Sequence, residues 1–483
     1  MVDLLLTMQR KFLSNLAFLL FLNLLVKPFW IFGIDRVVQN QVGAEAYGSY
    51  FALFNFALIL NIFLDLGISN FNNRNISQHQ HLLGKYFPRI VALRLLLAVG
   101  YFALCAVAAL AFNYSEAQLK MLALLCFNQF LLSFILFLRS NIAGLHLFRM
   151  DSAISVLDRL LMIVSCGWIL WFSDRAVEFQ IEWFVQLQTM AYSITALVAL
   201  AVVMRHGQKF SFGWNLAILK VVLKQSLPFA LLILLMSIYG RIDSVLLERL
   251  LPNGQQQAGI YAQAFRLLDA SNMIAYLFAV LLLPMFSRML KLKEDVVPLA
   301  RLASKLIIIP AFTLGLICWY HGTDLMRLMY HAHVDEAGRI VSVLMFSLIP
   351  MAGVYVIGTL LTANGSLKQL NGIALITVVF SIVLNLFMIP AYGAWGAAVS
   401  CLITQSISFV LQLMLGFKVF QFKWNLSALF FPLPLMVIAL LAWLFSDADW
   451  VISSVIIGLS GGTLTLLSLV SESRLVRGLK LEK

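Results

Sequence analysis

Charge is what this sequence has least of. Only 12% of its 483 residues are Asp, Glu, Lys or Arg, against 62% hydrophobic, whereas an average soluble domain carries about a quarter charged residues. That shortage excludes a water-soluble fold, which has no means of hiding so much apolar surface. Polar linkers are missing too. No stretch is long and polar enough to fold as a separate soluble domain, so any activity must sit among the apolar segments. The cysteines Cys105, Cys126, Cys166, Cys318 and Cys401 stand singly in apolar runs, which excludes a CxxC motif and a disulfide framework. Gly458-Leu-Ser-Gly-Gly-Thr463 lacks the P-loop lysine, and His331-x-His333-x-Asp335 has no HExxH or CxxC companion. No metal site, no cofactor and no ATP hydrolysis is therefore expected.

What is present is a succession of apolar runs, each near the roughly 20 residues a helix needs to cross a hydrocarbon core about 30 Å thick. Backbone groups in lipid must be bonded within their own segment, so the runs are read as helices. Barrel strands would be about half as long and would alternate in polarity. The expected fold is an all-α integral membrane protein with about fourteen transmembrane helices. They include Phe12 to Ile34, Ile154 to Phe172, Gly372 to Ala391, Ala394 to Leu415 and Leu426 to Phe445. The N-terminal run has no small-residue cleavage site and is read as the first span, not as a removed signal peptide.

The net charge of +12 is compatible with nucleic-acid binding or with a membrane orientation signal, and the distribution decides between them. With the N-terminus inside, the cytoplasmic segments hold most of the 34 basic residues, including Arg139, Arg149, Arg159, Arg288, Lys291 and Lys293. The opposite segments hold Arg36, Lys120, Arg175, Arg249, Arg327 and Arg339. Short Lys/Arg-rich loops resist translocation, so both termini are expected in the cytoplasm. The bilayer is then the partner and nucleic acid is not.

The chain also resembles itself. Phe32-Gly-Ile-Asp35, a turn and Tyr47-Gly-Ser-Tyr50 are matched by Tyr239-Gly-Arg-Ile-Asp243, a turn and Gly259-Ile-Tyr261, and sites between repeats are a common transporter plan. Lys27, Arg94, Arg241 and Arg266 fall inside spans. A cation at the bilayer centre costs about 2.5–3.5 kcal/mol, so it faces a wet cavity or a partner. At 1.5 Å per residue Lys27, Arg241 and Arg266 lie about 9 to 12 Å below the outer ends of their spans, while Arg94 sits near a cytoplasmic end and is expected to snorkel. Helical spacing puts Ser237, Arg241, Ser244 and Glu248 on one face, Arg266, Asp269, Asn272 and Tyr276 on another, Asn23 with Lys27 on a third, and Asn61 with Asp65 on a fourth. Two readings stand open for these cations: substrate binding, or ion pairing alone with acids such as Asp65, Asp243 and Asp269. The four-residue steps Thr377, Ser381, Asn385 and Ser400, Thr404, Ser408 are expected to hydrogen-bond between helices.

Taken together, Lys27-Pro-Phe-Trp-Ile-Phe-Gly-Ile-Asp-Arg36 with Gly43, Tyr47-Gly48, Leu64-Asp-Leu-Gly-Ile68 and Arg74-Asn-Ile-Ser77 resemble the N-terminal helices of bacterial polysaccharide flippases of the multidrug/oligosaccharidyl-lipid/polysaccharide exporter superfamily. Leu227-Pro-Phe229, Arg241-Ile-Asp243 and Gly259-Ile-Tyr-Ala262 are similar to the start of that family's second lobe. Asn385-Leu-Phe-Met-Ile-Pro390 with Tyr392-Gly-Ala-Trp-Gly-Ala-Ala398 looks like its eleventh-to-twelfth helix junction. The resemblance implies two six-helix lobes in pseudo-two-fold repeat, residues 1–210 and 211–417, with two further helices and a cytoplasmic tail over residues 418–483. It implies alternating access, a bacterial inner membrane, and a polyprenyl-diphosphate-linked oligosaccharide such as an O-antigen or capsule repeat unit as substrate. By type and place, Lys27, Arg241 and Arg266 are its candidates for attracting the diphosphate. Asp35, Asp65, Asp243, Asp269 and Asn272 are its candidates for cavity polar groups or for coupling to H+ or Na+. The rivals are a peptidoglycan lipid-precursor flippase, a cation-coupled multidrug antiporter, for which a basic interior is ill suited, and a membrane-embedded glycosyltransferase or polymerase, for which Asp174, Glu178 and Glu182 form the one acidic cluster.

Overall fold

The computed structural model describes residues 25–69, 83–145, 147–174, 178–206, 216–421 and 432–481, and no strand occurs among them. The helices are α1 (Arg36–Ile59), α2 (Leu83–Ala111), α3 (Glu116–Gly144), α4 (Phe148–Phe172), α5 (Ile181–His206), α6 (Leu216–Leu250), α7 (Gly254–Lys291), α8 (Val297–Met329), α9 (Val334–Leu344), α10 (Leu348–Ala363), α11 (Leu367–Phe420), α12 (Pro432–Leu444) and α13 (Trp450–Leu481). Ten helices among the described residues are long and apolar enough to cross a membrane. Their polarity is inverted relative to a soluble protein. Val99, Val107, Val164 and Leu197 are exposed, whereas Asn128, Asn141, Gln188 and Asn385 are buried. A bilayer asks for this arrangement, with apolar faces to lipid and polar side chains bonded between helices.

Two glycines set where helices turn back. The 54 residues of α11 would run about 80 Å, well over twice the hydrocarbon thickness. Gly393 (φ 58, ψ −139) breaks it into two segments, as the expected spans Gly372 to Ala391 and Ala394 to Leu415 require. A Cβ at Gly393 would also stand 2.6 Å from Gln257 Oε1, so a side chain there is both strained and blocked. The expected first span begins at Phe12, outside the described residues, and its expected end at Ile34 needs correction. From residue 25 the helix runs through a π-turn at Trp30–Asp35 into α1 and breaks only at Gly43 (φ 80, ψ 170). Asp35 reads as a membrane exit, yet it is 1% exposed and accepts a hydrogen bond of 2.8 Å from the Tyr47 hydroxyl. The paired carboxylate lets the chain stay helical past it.

The chain forms two compact units, Met1–Ser237 and Ile238–Lys483, with the boundary inside α6. In the first, α3 is central and packs on α1, α2, α4 and α5. The π-turn is held against α5 by Trp30 stacked on Phe184 at 5.8 Å, with Tyr50 edge-on to the same ring at 5.4 Å. In the second, α8 packs on α9, α10, α12 and α13. Ile309 and Leu316 of α8 meet Ile438, Ala442 and Ile457 of the last two helices. A buried hydrogen bond of 2.7 Å between His321 Nε2 and Ser453 Oγ ties α8 to α13 beside the irregular backbone at His321.

Candidate functional site

The polar stripes expected on α6 and α7 do form, and they meet. Arg241 donates from Nη1 and Nη2 to the two oxygens of Asp269, at 3.1 and 2.9 Å, with its guanidinium 5.0 Å from the centre of the Phe265 ring. Arg266 Nη1 stands 3.9 Å from the same carboxylate. Two guanidinium groups thus approach one acid. The members of this cluster are partly open, with side chains 25% (Arg241), 21% (Asp269) and 14% (Arg266) exposed. Further along α7, Asn272 donates to the Tyr355 hydroxyl at 3.1 Å, and Tyr276 packs edge-on to that tyrosine. Measured from the helix ends Leu250 and Gly254, Arg241 and Arg266 lie about 14 and 18 Å along their axes, deeper than the sequence count.

Asp243 takes no part in that cluster. It is 1% exposed and accepts from the Tyr261 hydroxyl at 3.1 Å and from Asn385 Nδ2 at 2.8 Å. Asp35 of the first unit is its counterpart in the repeat, and it too accepts from a tyrosine hydroxyl, although Tyr47 stands before Gly48 and Tyr261 after Gly259. The short sequence repeat therefore corresponds to a repeated buried contact.

In the first unit Lys27 lies about 24 Å along the helix from the break at Gly43. It is half-buried, makes no ion pair with a described residue, and has the charges of Arg159, Asp158 and Arg139 around it. Asn23, which shares its expected face, is outside the described residues. Arg139 is bidentate on Asp151, at 2.7 and 3.3 Å. Arg159 Nε is 3.6 Å from Asp158, and its guanidinium lies 5.2 Å from the Trp30 ring and 5.8 Å from Tyr192. Among the described residues three cations face two acids here, which leaves one positive charge. The charge tally assigns Arg159 to the cytoplasmic side, but it lies 11 residues into α4, about 16 Å from Phe148. The signal was its position inside the apolar run from Ile154 to Phe172.

Arg94 and Asp65 behave differently from expectation. Arg94 does not snorkel: it is 3% exposed and ion-paired to Asp65, with hydrogen bonds to Ser69 Oγ at 2.7 Å and to Ser133 O and Oγ at 3.0 Å, over the Phe137 ring. Asp65 also accepts from the Gly67 and Ser69 backbone at 3.1 Å, which occupies its oxygens. Asn61, on the same expected face, donates instead to Gln129. The His-x-His-x-Asp run is taken up structurally. His333 occupies a left-handed turn (φ 56) with Nε2 3.2 Å from the Gln256 amide, and Asp335 lies 3.5 Å from Arg327. Residues 458–463 are helical within α13 and form no phosphate loop. No group of three potential metal ligands occurs among the described residues.

Comparison with known proteins places these features in context. Residues 12–290 match the family model described as polysaccharide biosynthesis protein. The capsular polysaccharide biosynthesis protein CapF of Staphylococcus aureus is 24% identical over 206 residues, which is 42% of this chain and 51% of CapF, so the chain spans about half the length of the curated relative it matches. The lipid II flippase MurJ, in an inward closed conformation, has the same fold with TM-score 0.68 and 15% identity, over 95% of this chain and 99% of MurJ. A multidrug resistance transporter of the MATE family, in an inward-facing conformation, follows with TM-score 0.58 and 14% identity, over 81% of this chain and 94% of the transporter.

Proposed function

The chain belongs to the polysaccharide biosynthesis protein family, and from that premise we propose that it is a flippase carrying a polyprenyl-diphosphate-linked oligosaccharide from the cytoplasmic to the outer leaflet of a bacterial inner membrane, by alternating access and with both termini cytoplasmic. The observation that carries the reading is a set of partly open cations inside apolar helices. Lys27 makes no ion pair with a described residue, and Arg241 and Arg266 both approach the carboxylate of Asp269. An isolated cation in hydrocarbon is costly, and a diphosphate is a better bidentate acceptor for guanidinium than a shared carboxylate. The substrate takes donors that Asp269 holds when it is absent and returns them on release, so the site binds without trapping. Sugars and diphosphate cannot cross hydrocarbon unaided, while a polyprenyl tail remains in lipid. Asp243, sealed from solvent and bonded by one tyrosine and one amide, is the residue we assign to coupling with H+ or Na+.

Translocation of a fluorescent polyprenyl-diphosphate oligosaccharide by the purified chain in proteoliposomes tests the reading, with and without an ion gradient. Transport that depends on Lys27, Arg241 and Arg266 is expected. Transport of a peptidoglycan lipid precursor in preference to other oligosaccharides would reassign the substrate, and export of a cationic dye alone would replace the reading by a drug antiporter.

A further inference from the structure

The last turn of α4 and the first turns of α5 enclose a groove of about 540 Å3 that the transport reading leaves unused. Trp168 and Ser173 form one wall, and Trp183, Gln186, Leu187 and Met190 form the other. Each indole is held by a neighbouring ring: Trp168 stacks on Phe172 at 5.8 Å, and Trp183 meets the buried Phe179 edge-on at 6.1 Å. The walls are therefore set before anything enters, which lowers the ordering cost of binding. The groove opens on the apolar outside of the helices and not among the buried polar clusters. Trp168 shares a helix face with the exposed Val164 and Phe172, and Met190 shares one with the exposed Leu197. In a bilayer such faces meet hydrocarbon.

Its chemistry changes with depth. Ser173 and Trp183 stand at the helix ends and Gln186 one turn further along α5, whereas Leu187 and Met190 lie below them, about 10 Å separating Trp183 from Met190 along the axis. A polar rim over an apolar floor fits the headgroup, the glycerol and the start of an acyl chain of one lipid. Tryptophans of an ordinary interfacial belt need no such groove. Charge then selects the headgroup. Between Ser173 and Trp183 the sequence has three acids, Asp174, Glu178 and Glu182, against Arg175, which is outside the described residues. Such a rim repels an anionic lipid and attracts an ammonium. The Trp183 indole and the Gln186 amide supply N–H donors for a phosphate. We propose that the groove binds a zwitterionic phospholipid with a primary ammonium headgroup, of the phosphatidylethanolamine type. Its phosphate sits on Trp183 and Gln186, its ammonium faces the acids of the connection, and one acyl chain runs over Leu187 and Met190 toward Leu197. A trimethylammonium headgroup has no N–H to donate and is held less well. The site is independent of the flippase reading, and in the topology proposed above it lies in the outer leaflet.

The test reconstitutes the full chain into phosphatidylcholine vesicles with a trace of phosphatidylethanolamine that bears a photoreactive diazirine on its acyl chain, and maps the labelled peptides after illumination. Label is expected to concentrate on residues 186–197. Unlabelled phosphatidylethanolamine should displace it at about a tenth of the concentration that phosphatidylglycerol requires. Gln186→Ala and Glu182→Gln change exposed side chains and leave the packing intact, and each should lower labelling about fivefold. Trp183→Phe keeps a ring against Phe179 but loses the indole N–H and should do the same. Trp443→Ala, which removes an exposed tryptophan of α12, should leave labelling unchanged. Label spread evenly over other exposed apolar faces, such as that of Val99 and Val107, means annular lipid only and overturns the site. Equal displacement by phosphatidylglycerol, or full labelling of the rim variants, overturns it as well. Displacement by a soluble oligosaccharide and not by phospholipid would replace the lipid by a sugar.

Discussion

Two arginine-aspartate pairs between helices, Arg94–Asp65 in the first unit and Arg241–Asp269 in the second, are opposite in character. Arg94 of the first unit is 3% exposed, and its two terminal nitrogens are bonded to Asp65, Ser69 and Ser133, while Nε is buried without a bond. Arg241 of the second is 25% exposed, and the acid that holds it is also approached by Arg266. The first pair is a closed brace joining α2 to the segment after α1 and to α3. The second is an open pair whose acid is shared with a second guanidinium. A cation within a span is thus uninformative by itself. Whether it is sealed on an acid of its own or stands open on a shared one separates a structural cation from one with chemistry left to do.

Removing Arg94 should have the largest effect, and on folding. Arg94→Ala leaves the Asp65 carboxylate without its main partner, at about 3–5 kcal/mol. A marked fall in unfolding temperature in detergent, or loss of folded protein, is expected, while Arg241→Ala should melt close to the native chain. Equal damage from both substitutions would erase the distinction. Transport should show the converse. Arg241→Ala forfeits charge-assisted bonds worth about 1.5–3 kcal/mol, so translocation in proteoliposomes should drop about 10- to 100-fold with folding intact. Arg241→Lys keeps the charge but not the two-pronged geometry and should recover only part of the rate.

Lys27 extends the comparison within the first unit. Lys27→Gln removes the cation that makes no ion pair with a described residue, and about a tenfold loss of transport is expected, with Lys27→Arg restoring most of it. Arg139→Gln instead unpairs Asp151, so its effect should fall on stability first. If Lys27→Gln lowers the unfolding temperature and leaves the transport rate of the folded fraction unchanged, Lys27 belongs with Arg94 and not with Arg241.

Much of this was legible in residue order, and the exceptions have a common cause. The spans, the stripes Arg241/Ser244 and Arg266/Asp269, and the Asp35 and Asp243 repeat follow from apolar length and helical spacing, which are local properties. The end of the first helix is misjudged because hydropathy treats Asp35 as an exit from lipid, and only the Tyr47 hydroxyl, 12 residues on, reveals it as buried. Arg94 is assigned to the surface for the same reason: its partners Asp65 and Ser133 lie 29 and 39 residues away. Arg159 is counted with the cytoplasmic charges, although the rings of Trp30 and Tyr192 hold it inside the bundle. A charged residue is read correctly only when its partner is known, and in a helical membrane protein the partner is usually on another helix.

The smallest expected effect tests the repeat itself. Tyr47→Phe and Tyr261→Phe each delete one hydroxyl donor to a buried aspartate and should cost about 1 to 1.5 kcal/mol of stability, equally in the two units if the repeated contact is only structural. Their surroundings differ. Asp243 also accepts from Asn385, so Tyr261→Phe leaves that amide as its side-chain donor at a group we assign to ion coupling. Translocation by Tyr261→Phe should therefore respond differently to an imposed H+ or Na+ gradient, while Tyr47→Phe should follow the native response at a slightly lower unfolding temperature. Identical gradient responses in the two variants would mean that Asp35 and Asp243 do the same work, and coupling would have to be sought in both units or in neither.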